Sequence, residues 1–187
     1  MDNNKLIAKR ELEVIGGNPQ IFRYHDKNDE KFIDIFSSKD RPYNGVCAYA
    51  TIGLSEYDIG MISNNKNLRI ELLGACDGTE ILFPNIMATT AFEIMESGNC
   101  GYGHIIPDVI SNYMDDLDMK HMYLMNPFLW DGFDTIKLEN KMIAWLLCIP
   151  ISEQEKEFAI MNGYDLLETK FEEANIDIFN LKRKSIF

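Results

Sequence analysis

The side chains in this sequence that come closest to a catalytic pair are Cys100 and His104, in the glycine-rich segment SGNCGYGHI. A cysteine thiol becomes a nucleophile when a base or a positive charge lowers its pKa and a further polar group orients that base. The residues around Cys100 supply no such charge and no such third group. We therefore predict a buried thiol and no enzymatic activity. The alternative is a thiol-dependent hydrolase that uses Cys100 with His104 or His121.

No cofactor and no metal site are predicted from the other reactive side chains. The segment SGNCGYGHI contains GxG but lacks the preceding strand, the following helix and the third glycine of a dinucleotide-binding fingerprint. The three histidines have no i, i+4 or HxH spacing, and the four cysteines form no CxxC pair. In a reducing compartment we expect these cysteines to be buried free thiols.

Three aspartates, Asp115, Asp116 and Asp118, form a DDxD cluster in a predicted loop. Carboxylate oxygens suit Mg²⁺ or Ca²⁺, but the cluster lacks the glycine and the distal glutamate of a calcium-binding loop. Three interpretations stay open for the cluster. It is a solvated turn, a loop that binds another protein or, as the least favoured alternative, a site for a divalent cation.

A second candidate segment, NPFLWDGF at residues 126–133, combines aromatic and aliphatic side chains with an acid. Apolar anchors beside carboxylates suit a cationic protein partner. The same aromatic side chains also fit a buried turn between two strands. On the partner-binding interpretation of both segments, the predicted contact residues are Asp115, Asp116, Asp118, Trp130, Asp131 and Asp134.

The negative charge of the chain is concentrated in its middle. The net charge is −12, and residues 71–140 hold twelve acids against only Lys120 and Lys137. Such a field repels nucleic acid and anionic membranes, and it accelerates the approach of a basic protein. The short basic run Lys182-Arg183-Lys184 is too small to reverse this preference. The alternative is that the acids serve solubility alone.

The composition predicts one compact domain over residues 1–187, with its core in about residues 5–175 and a short basic C-terminal tail. A hydrophobic fraction of 46% and a charged fraction of 26% are ordinary for a globular protein. The N-terminal segment lacks the apolar run of an export signal, and no stretch approaches a membrane span. We therefore expect a cytoplasmic protein.

The first half of the chain predicts a helix, several strands and a second helix. Apolar residues at helical spacing up to Ile15 are followed by Gly16 and Gly17, which end the first helix. A short β-type run at residues 32–36 precedes two neighbouring strands, VCAYATIGLS and LRIELLGAC. In FPNIMATTAFEIMES, Pro84 in the first turn and an apolar stripe predict a helix that crosses the sheet.

The second half predicts further strands and two helices. An extended segment at residues 104–106 is followed by HMYLMNP, DTIKLEN and MIAWLLCIPI, the last typical of a central strand covered on both faces. A turn at Glu139-Asn140-Lys141 joins the last two strands. Ser152 and Glu155 form a capping box that opens a helix ending at Gly163, and Asp165 begins another. The order predicts an α+β fold with a mostly antiparallel sheet covered by helices.

Four segments, in this order and spacing, resemble the suppressor-of-fused domain family and its small bacterial members. They are YATIGLS at 49–55, ELLGACDG at 71–78, FPNIMATTAFEIMESGN at 83–99 and WLLCIPISEQEKEFAIMNGYDLLE at 145–168. Each motif is weakly specific alone, but the ordered set extends over about residues 5–175. The resemblance implies an α+β fold without enzymatic activity. It also implies a binding role, since the eukaryotic member of the family sequesters a transcription factor.

For the small bacterial members, the resemblance implies an immunity protein bound to the C-terminal nuclease domain of an LXG-type toxin. It assigns no contact residue in this chain. The charge distribution is consistent with that role, because a nuclease carries a basic surface for phosphate and clustered carboxylates can mimic the polyanion. A DNase and an RNase satisfy this prediction equally. The alternative function is a cytosolic adaptor that binds some other protein.

Overall fold

The computed structural model describes residues 3–187 and places nine strands of that range in one mixed sheet. The order is β1-β2-β3-β5-β9-β7-β6, with β4 paired to β5 and β8 paired to β9. All pairings are antiparallel except that of β5 with β9, so the predicted α+β fold with a mostly antiparallel sheet is confirmed. The strands are β1 (Gln20–His25), β2 (Phe32–Lys39), β3 (Val46–Ile52), β4 (Ile62–Ser63), β5 (Lys66–Asp77), β6 (Ile105–Ile106), β7 (Met119–Met125), β8 (Ile136–Lys137) and β9 (Lys141–Ser152).

Helices cover both faces of this sheet, so the core has two layers. On one side, the α2 face, Ile86 and Ile94 pack with residues of β2, β3, β5, β7 and β9. On the other side, the α4 face, Ile7 and Leu167 pack against the opposite side chains of the same strands. The helices are α1 (Asn3–Ile15), α2 (Phe83–Ser97), α3 (Glu153–Asn162) and α4 (Tyr164–Ala174).

The long strand β9 is central and covered on both faces, as its apolar run predicts. Leu146 and Cys148 point into the core of the α2 face, whereas Trp145 and Leu147 point into that of the α4 face. Alternate side chains of a strand leave opposite faces, so a continuous apolar run serves both layers. Beside it in β5, Gly74 lets α2 approach, because a Cβ there would lie 2.8 Å from the Met87 sulfur.

Two buried acids, one on α1 and one on β5, lie close enough for their charges to interact. The Glu71 carboxylate on β5 accepts hydrogen bonds from the Thr51 hydroxyl at 2.6 Å and from the backbone N–H groups of Gly53, Leu54 and Ser55. Burial nevertheless raises the pKa of Glu71 to about 7. Glu11 on α1 is also fully buried, and burial together with the charge of Glu71 raises its pKa well above the ordinary value. This pair therefore binds protons more tightly in the folded chain.

The sheet differs from the prediction at four places, one of which is the short strand β4, which was not predicted. Strand β1 was not predicted, and five of its six residues are exposed, so its side chains lack the burial that creates a pattern. The GLS of VCAYATIGLS is a 3-10 turn at Leu54–Glu56, because its backbone N–H groups turn in to bind Glu71. The predicted strand DTIKLEN is reduced to the two residues of β8, although the turn before β9 is present.

The basic residues 182–184 lie on the body of the protein and do not extend from it as the predicted tail. Arg183 is 8% exposed, and its guanidinium donates to both oxygens of the buried Glu155 at 2.6 and 2.7 Å. Glu155 also accepts from the backbone N–H of Ser152, whose hydroxyl accepts in return from the N–H of Glu155. The predicted capping box is thus confirmed, and Arg183 neutralises its carboxylate.

Candidate partner-binding surface

The acidic loop that contains Asp115, Asp116 and Asp118 lies between β6 and β7. The Asp115 and Asp116 side chains are exposed. Asp118 instead accepts from the Lys184 ammonium at 3.2 Å and from the backbone N–H of Ser185 at 3.3 Å, and these bonds lower its pKa. Two acids of the cluster are therefore presented to solvent, and the third fastens the end of the chain.

The aromatic segment at residues 126–133 is largely a packing element. Trp130 meets the Phe133 ring edge-on with centroids 6.1 Å apart, and Phe133 lies 5.2 Å from the ring of Trp145 in β9. The Arg10 guanidinium of α1 donates to the carbonyls that follow, those of Gly132 and Asp134, both at 3.1 Å. This arrangement agrees with the buried-turn interpretation for Trp130.

The exposed side chains of the aromatic segment include Phe128 and Asp131, and Asp134, which follows the segment, is exposed as well. The side chains of Met114 and Leu117 join the core of the α2 face, whereas Leu129 and Trp130 join that of the α4 face. The structure therefore does not unite the six predicted contact residues in one patch. The two loops approach the sheet from opposite faces.

Beside the aromatic segment, a groove runs along α4. It has a volume of about 410 Å³, and Phe128, Ile149 and Phe171 contribute apolar wall. Glu168 and Glu172 of α4 place carboxyl groups on the same groove. Sequence reasoning did not identify this groove, because it forms only when α4 docks beside residues 125–128.

One carboxylate organises the end of the groove nearest the glycine-rich segment. Glu168 accepts from the Tyr102 hydroxyl at 2.9 Å and from the Tyr123 hydroxyl at 2.5 Å. The Tyr102 ring meets the Tyr164 ring edge-on, with centroids 4.9 Å apart. Gly103 permits this contact, because it has φ +81° and a Cβ there would lie 2.5 Å from Cδ1 of Tyr164. Gly103 thus allows close approach of α4.

At the turn between α3 and α4, several apolar side chains are exposed to solvent. Ile160 is 73% exposed and Met161 is 74% exposed, and Tyr164 and Leu166 follow them directly. The orientation of α3 accounts for the exposure of Ile160 and Met161. Glu155 and Ala159 mark the buried side of α3, so Ile160 and Met161, one and two residues further on, point away from it.

The alternative thiol chemistry receives no support from the geometry. Burial raises the pKa of the Cys100 thiol to about 12, which leaves little thiolate at neutral pH. Both nitrogens of the His121 ring are engaged, since Nδ1 accepts from the Asp108 N–H and Nε2 donates to Glu153 at 2.8 Å. Burial also lowers the His121 pKa. All four cysteines are buried and free, as predicted.

Two further features concern the described part of the chain. Within residues 3–187, no three His, Cys, Asp or Glu side chains come together as a group able to hold a metal ion. Among the helices of the same range, none combines the length and the apolar character that a bilayer crossing requires.

Comparison with known proteins identifies relatives along nearly the whole chain. Residues 29–184 match the family model of the suppressor of fused protein (SUFU). The chain is 39% identical over 185 residues to Immunity protein YqcF of Bacillus subtilis strain 168, a match that covers 98% of this chain and 96% of the relative.

Solved structures share the fold at lower sequence identity. A SUFU homologue from Neisseria gonorrhoeae has a TM-score of 0.75 at 16% identity, covering 99% of this chain and 97% of its own. A chain of the Sufu–Fu complex has a TM-score of 0.67 at 13% identity, covering 98% and 91%. Drosophila Suppressor of Fused has a TM-score of 0.64 at 13% identity, with 99% of this chain matching 50% of that protein. From the family model and the identity to YqcF, we conclude that the chain belongs to the suppressor of fused protein family.

Proposed function

We propose that this chain is an immunity protein that binds and neutralises a cognate toxin, specifically the C-terminal nuclease domain of an LXG-type toxin. The observation that carries the proposal is the 39% identity to Immunity protein YqcF across 98% of the chain. The buried thiols support a role in binding, since no activated nucleophile accompanies them. The partner is a protein, and neither nucleic acid nor a membrane is bound directly.

The net charge of −12 supports a basic partner. A nuclease carries cationic groups that hold phosphate, and carboxylates on an inhibitor attract those groups over several ångströms. Asp115, Asp116 and Asp131 are exposed, and we assign the early electrostatic approach to them. Asp118 and Trp130 hold their loops in place through contacts within the chain. The Asp134 carbonyl serves the same purpose by accepting from Arg10.

Co-expression tests the proposal directly. The toxin domain encoded beside this chain is expressed in a bacterial host with and without it, and survival and co-purification are measured in low and high salt. Rescue with a stable complex is the expected result. Absence of both rescue and complex would remove the immunity role and favour an adaptor for another protein.

The electrostatic part of the proposal has its own test. The variant Asp115→Lys with Asp116→Lys reverses two exposed charges while Asp118 keeps its bond to Lys184. The control is Glu93→Lys with Glu96→Lys on α2, which changes the net charge equally on another exposed surface. We expect slower association for the loop variant than for the control, and weaker salt dependence. Equal association rates would assign the effect to net charge alone.

A further inference from the structure

We propose that the toxin docks on the α4 surface, which comprises Tyr102, Phe128, Ile160, Met161, Tyr164 and Glu172, through a segment that carries basic and apolar side chains. This inference rests on the proposed function and deepens it by locating the contact. It places the main contact beside α4.

Exposed apolar side chains are concentrated at this surface. Six of the fifteen large apolar side chains exposed among the described residues belong to it or adjoin it, including Leu166. An apolar patch of this kind on a water-exposed surface marks a site of protein contact. The aromatic members are held in position, because Tyr102 packs against Tyr164 and donates to Glu168. A partner therefore meets anchors whose conformational freedom is already restricted.

Acidic side chains are frequent on the same two helices, α3 and α4. Residues 153–174 hold seven acids against Lys156 and Lys170, a net charge of −5. Of these acids, Glu155 is buried with Arg183, while Glu157, Asp165 and Glu172 are exposed. Apolar anchors together with these exposed carboxylates fit a partner whose own apolar side chains are flanked by lysine or arginine.

The charge also decides between a toxin and a second copy of this chain. Two copies packed through the α4 surface would bring the same acids against each other, which costs free energy unless cations intervene. The groove beside α4 continues the patch, because Tyr102 and Phe128 line it together with Glu172. Its volume of about 410 Å³ accommodates side chains of the partner. A cationic partner thus satisfies both the apolar and the acidic part of the surface.

The test compares two double variants that remove equal apolar surface at different places. Ile160→Ser with Met161→Ser alters the α4 surface. Ile62→Ser with Ile81→Ser, at side chains 72% and 81% exposed, is the matched control. Each full-length protein is titrated with the catalytically inactivated toxin domain encoded beside the chain, and urea unfolding confirms that both variants fold. We expect the Kd of the first variant to rise by about tenfold or more, mainly through faster dissociation, and that of the control to stay within about twofold.

A third variant, Glu172→Lys, tests the acidic part of the α4 surface. It should lower the association rate several-fold, whereas Glu93→Lys on α2 should leave the rate close to that of the unmodified chain. If the unmodified chain binds the toxin and both α4 variants bind it as tightly, the docking inference is wrong and the immunity function stands. If the unmodified chain binds no toxin, both proposals fail. If the unmodified chain is a dimer that the first variant turns into a monomer, the α4 surface belongs to a second copy.

Discussion

Replacing Glu11 by glutamine should make the protein less sensitive to alkaline pH. Glu11 is fully buried near the carboxylate of Glu71, and both pKa values are raised, chiefly by burial. Glutamine has the shape of a protonated glutamate, so it can still accept from the indole N–H of Trp145, which lies 3.4 Å from Glu11 Oε1. The substitution removes the ionisation and keeps the packing.

The sign of the change in stability with pH follows from proton linkage. A raised pKa in the folded chain means that the folded state holds a proton after the unfolded state has released it, so stability is greatest at acid pH and falls as pH rises. For Glu71, a rise from 4.5 to about 7 corresponds to about 3 kcal/mol of unfolding free energy, lost as pH increases through that window. Glu11 contributes a further loss of the same sign.

The slope of the unfolding free energy against pH is a sharper measure than the total loss of stability. Each acid that stays protonated in the folded state costs about 1.4 kcal/mol per pH unit, so two acids cost up to about 2.7 and one acid about 1.4. Between about pH 5.5 and about pH 6.5 we therefore expect the slope of Glu11→Gln to be shallower than that of the unmodified chain by about 1.4 kcal/mol per pH unit. At higher pH the variant should be the more stable protein.

Urea titrations followed by circular dichroism at a series of pH values measure these slopes. Glu13→Gln is the control, because Glu13 lies on the same helix with an exposed side chain beside Lys9. The depressed pKa of His121 adds a change of opposite sign, but it is common to all three proteins and cancels in the differences. Parallel pH curves for Glu11→Gln and the unmodified chain would refute the account of the buried acid pair.

Three further substitutions or modifications test other contacts. Arg183→Ala leaves the buried Glu155 carboxylate without its guanidinium and should lower the unfolding free energy by about 3 to 5 kcal/mol in urea titrations. The control Lys184→Ala, at an exposed ion pair, should cost less than about 1 kcal/mol. Equal losses of stability would contradict the importance of the buried ion pair. Gly103→Ala places a side chain on a left-handed backbone and against the Tyr164 ring, so it should lower the unfolding free energy by about 2 kcal/mol in the same urea titrations. An unchanged midpoint of urea unfolding would show that α4 does not pack closely against Gly103. Burial raises the pKa of Cys100 to about 12, so a thiol reagent near neutral pH should label it roughly a thousandfold more slowly than an ordinary exposed thiol. Rapid labelling would support the alternative of a thiol-dependent hydrolase.

Local patterns in the sequence predict the elements whose burial is regular. The apolar run of β9 predicts a strand covered on both faces, and Ser152 with Glu155 predicts the start of α3. Strand β1 escapes prediction because an exposed edge strand needs no alternation of apolar side chains. Long-range pairing also escapes it, since nothing near Glu155 indicates that Arg183, 28 residues further on, will neutralise it.

On the candidate surface, too, some features can be predicted from local sequence and others depend on long-range packing. The exposure of Asp115 and Asp116 follows from a polar loop, and it can be predicted locally. The α4 surface depends on where α4 docks, which Gly103 and Tyr102 decide through contacts with Tyr164. A sum of charges along the chain also obscures the acidity of the α4 surface. The three basic residues 182–184 offset the acids of α3 and α4 in the sum. In the fold, Lys182 and Lys184 pair instead with Glu80 and Asp118, and Arg183 pairs with Glu155, the buried acid of α3.

The packing of the aromatic segment supplies a built-in optical probe of one layer. Both tryptophans of the chain, Trp130 and Trp145, belong to the core of the α4 face, whereas the α2 face contains tyrosine and phenylalanine. Tryptophan emission therefore follows the layer built by α1, α3 and α4, while far-ultraviolet dichroism averages both layers. If tryptophan emission and far-ultraviolet dichroism change together during unfolding, the two layers unfold as one cooperative unit. An earlier change in emission would show that the layer carrying the α4 surface detaches first.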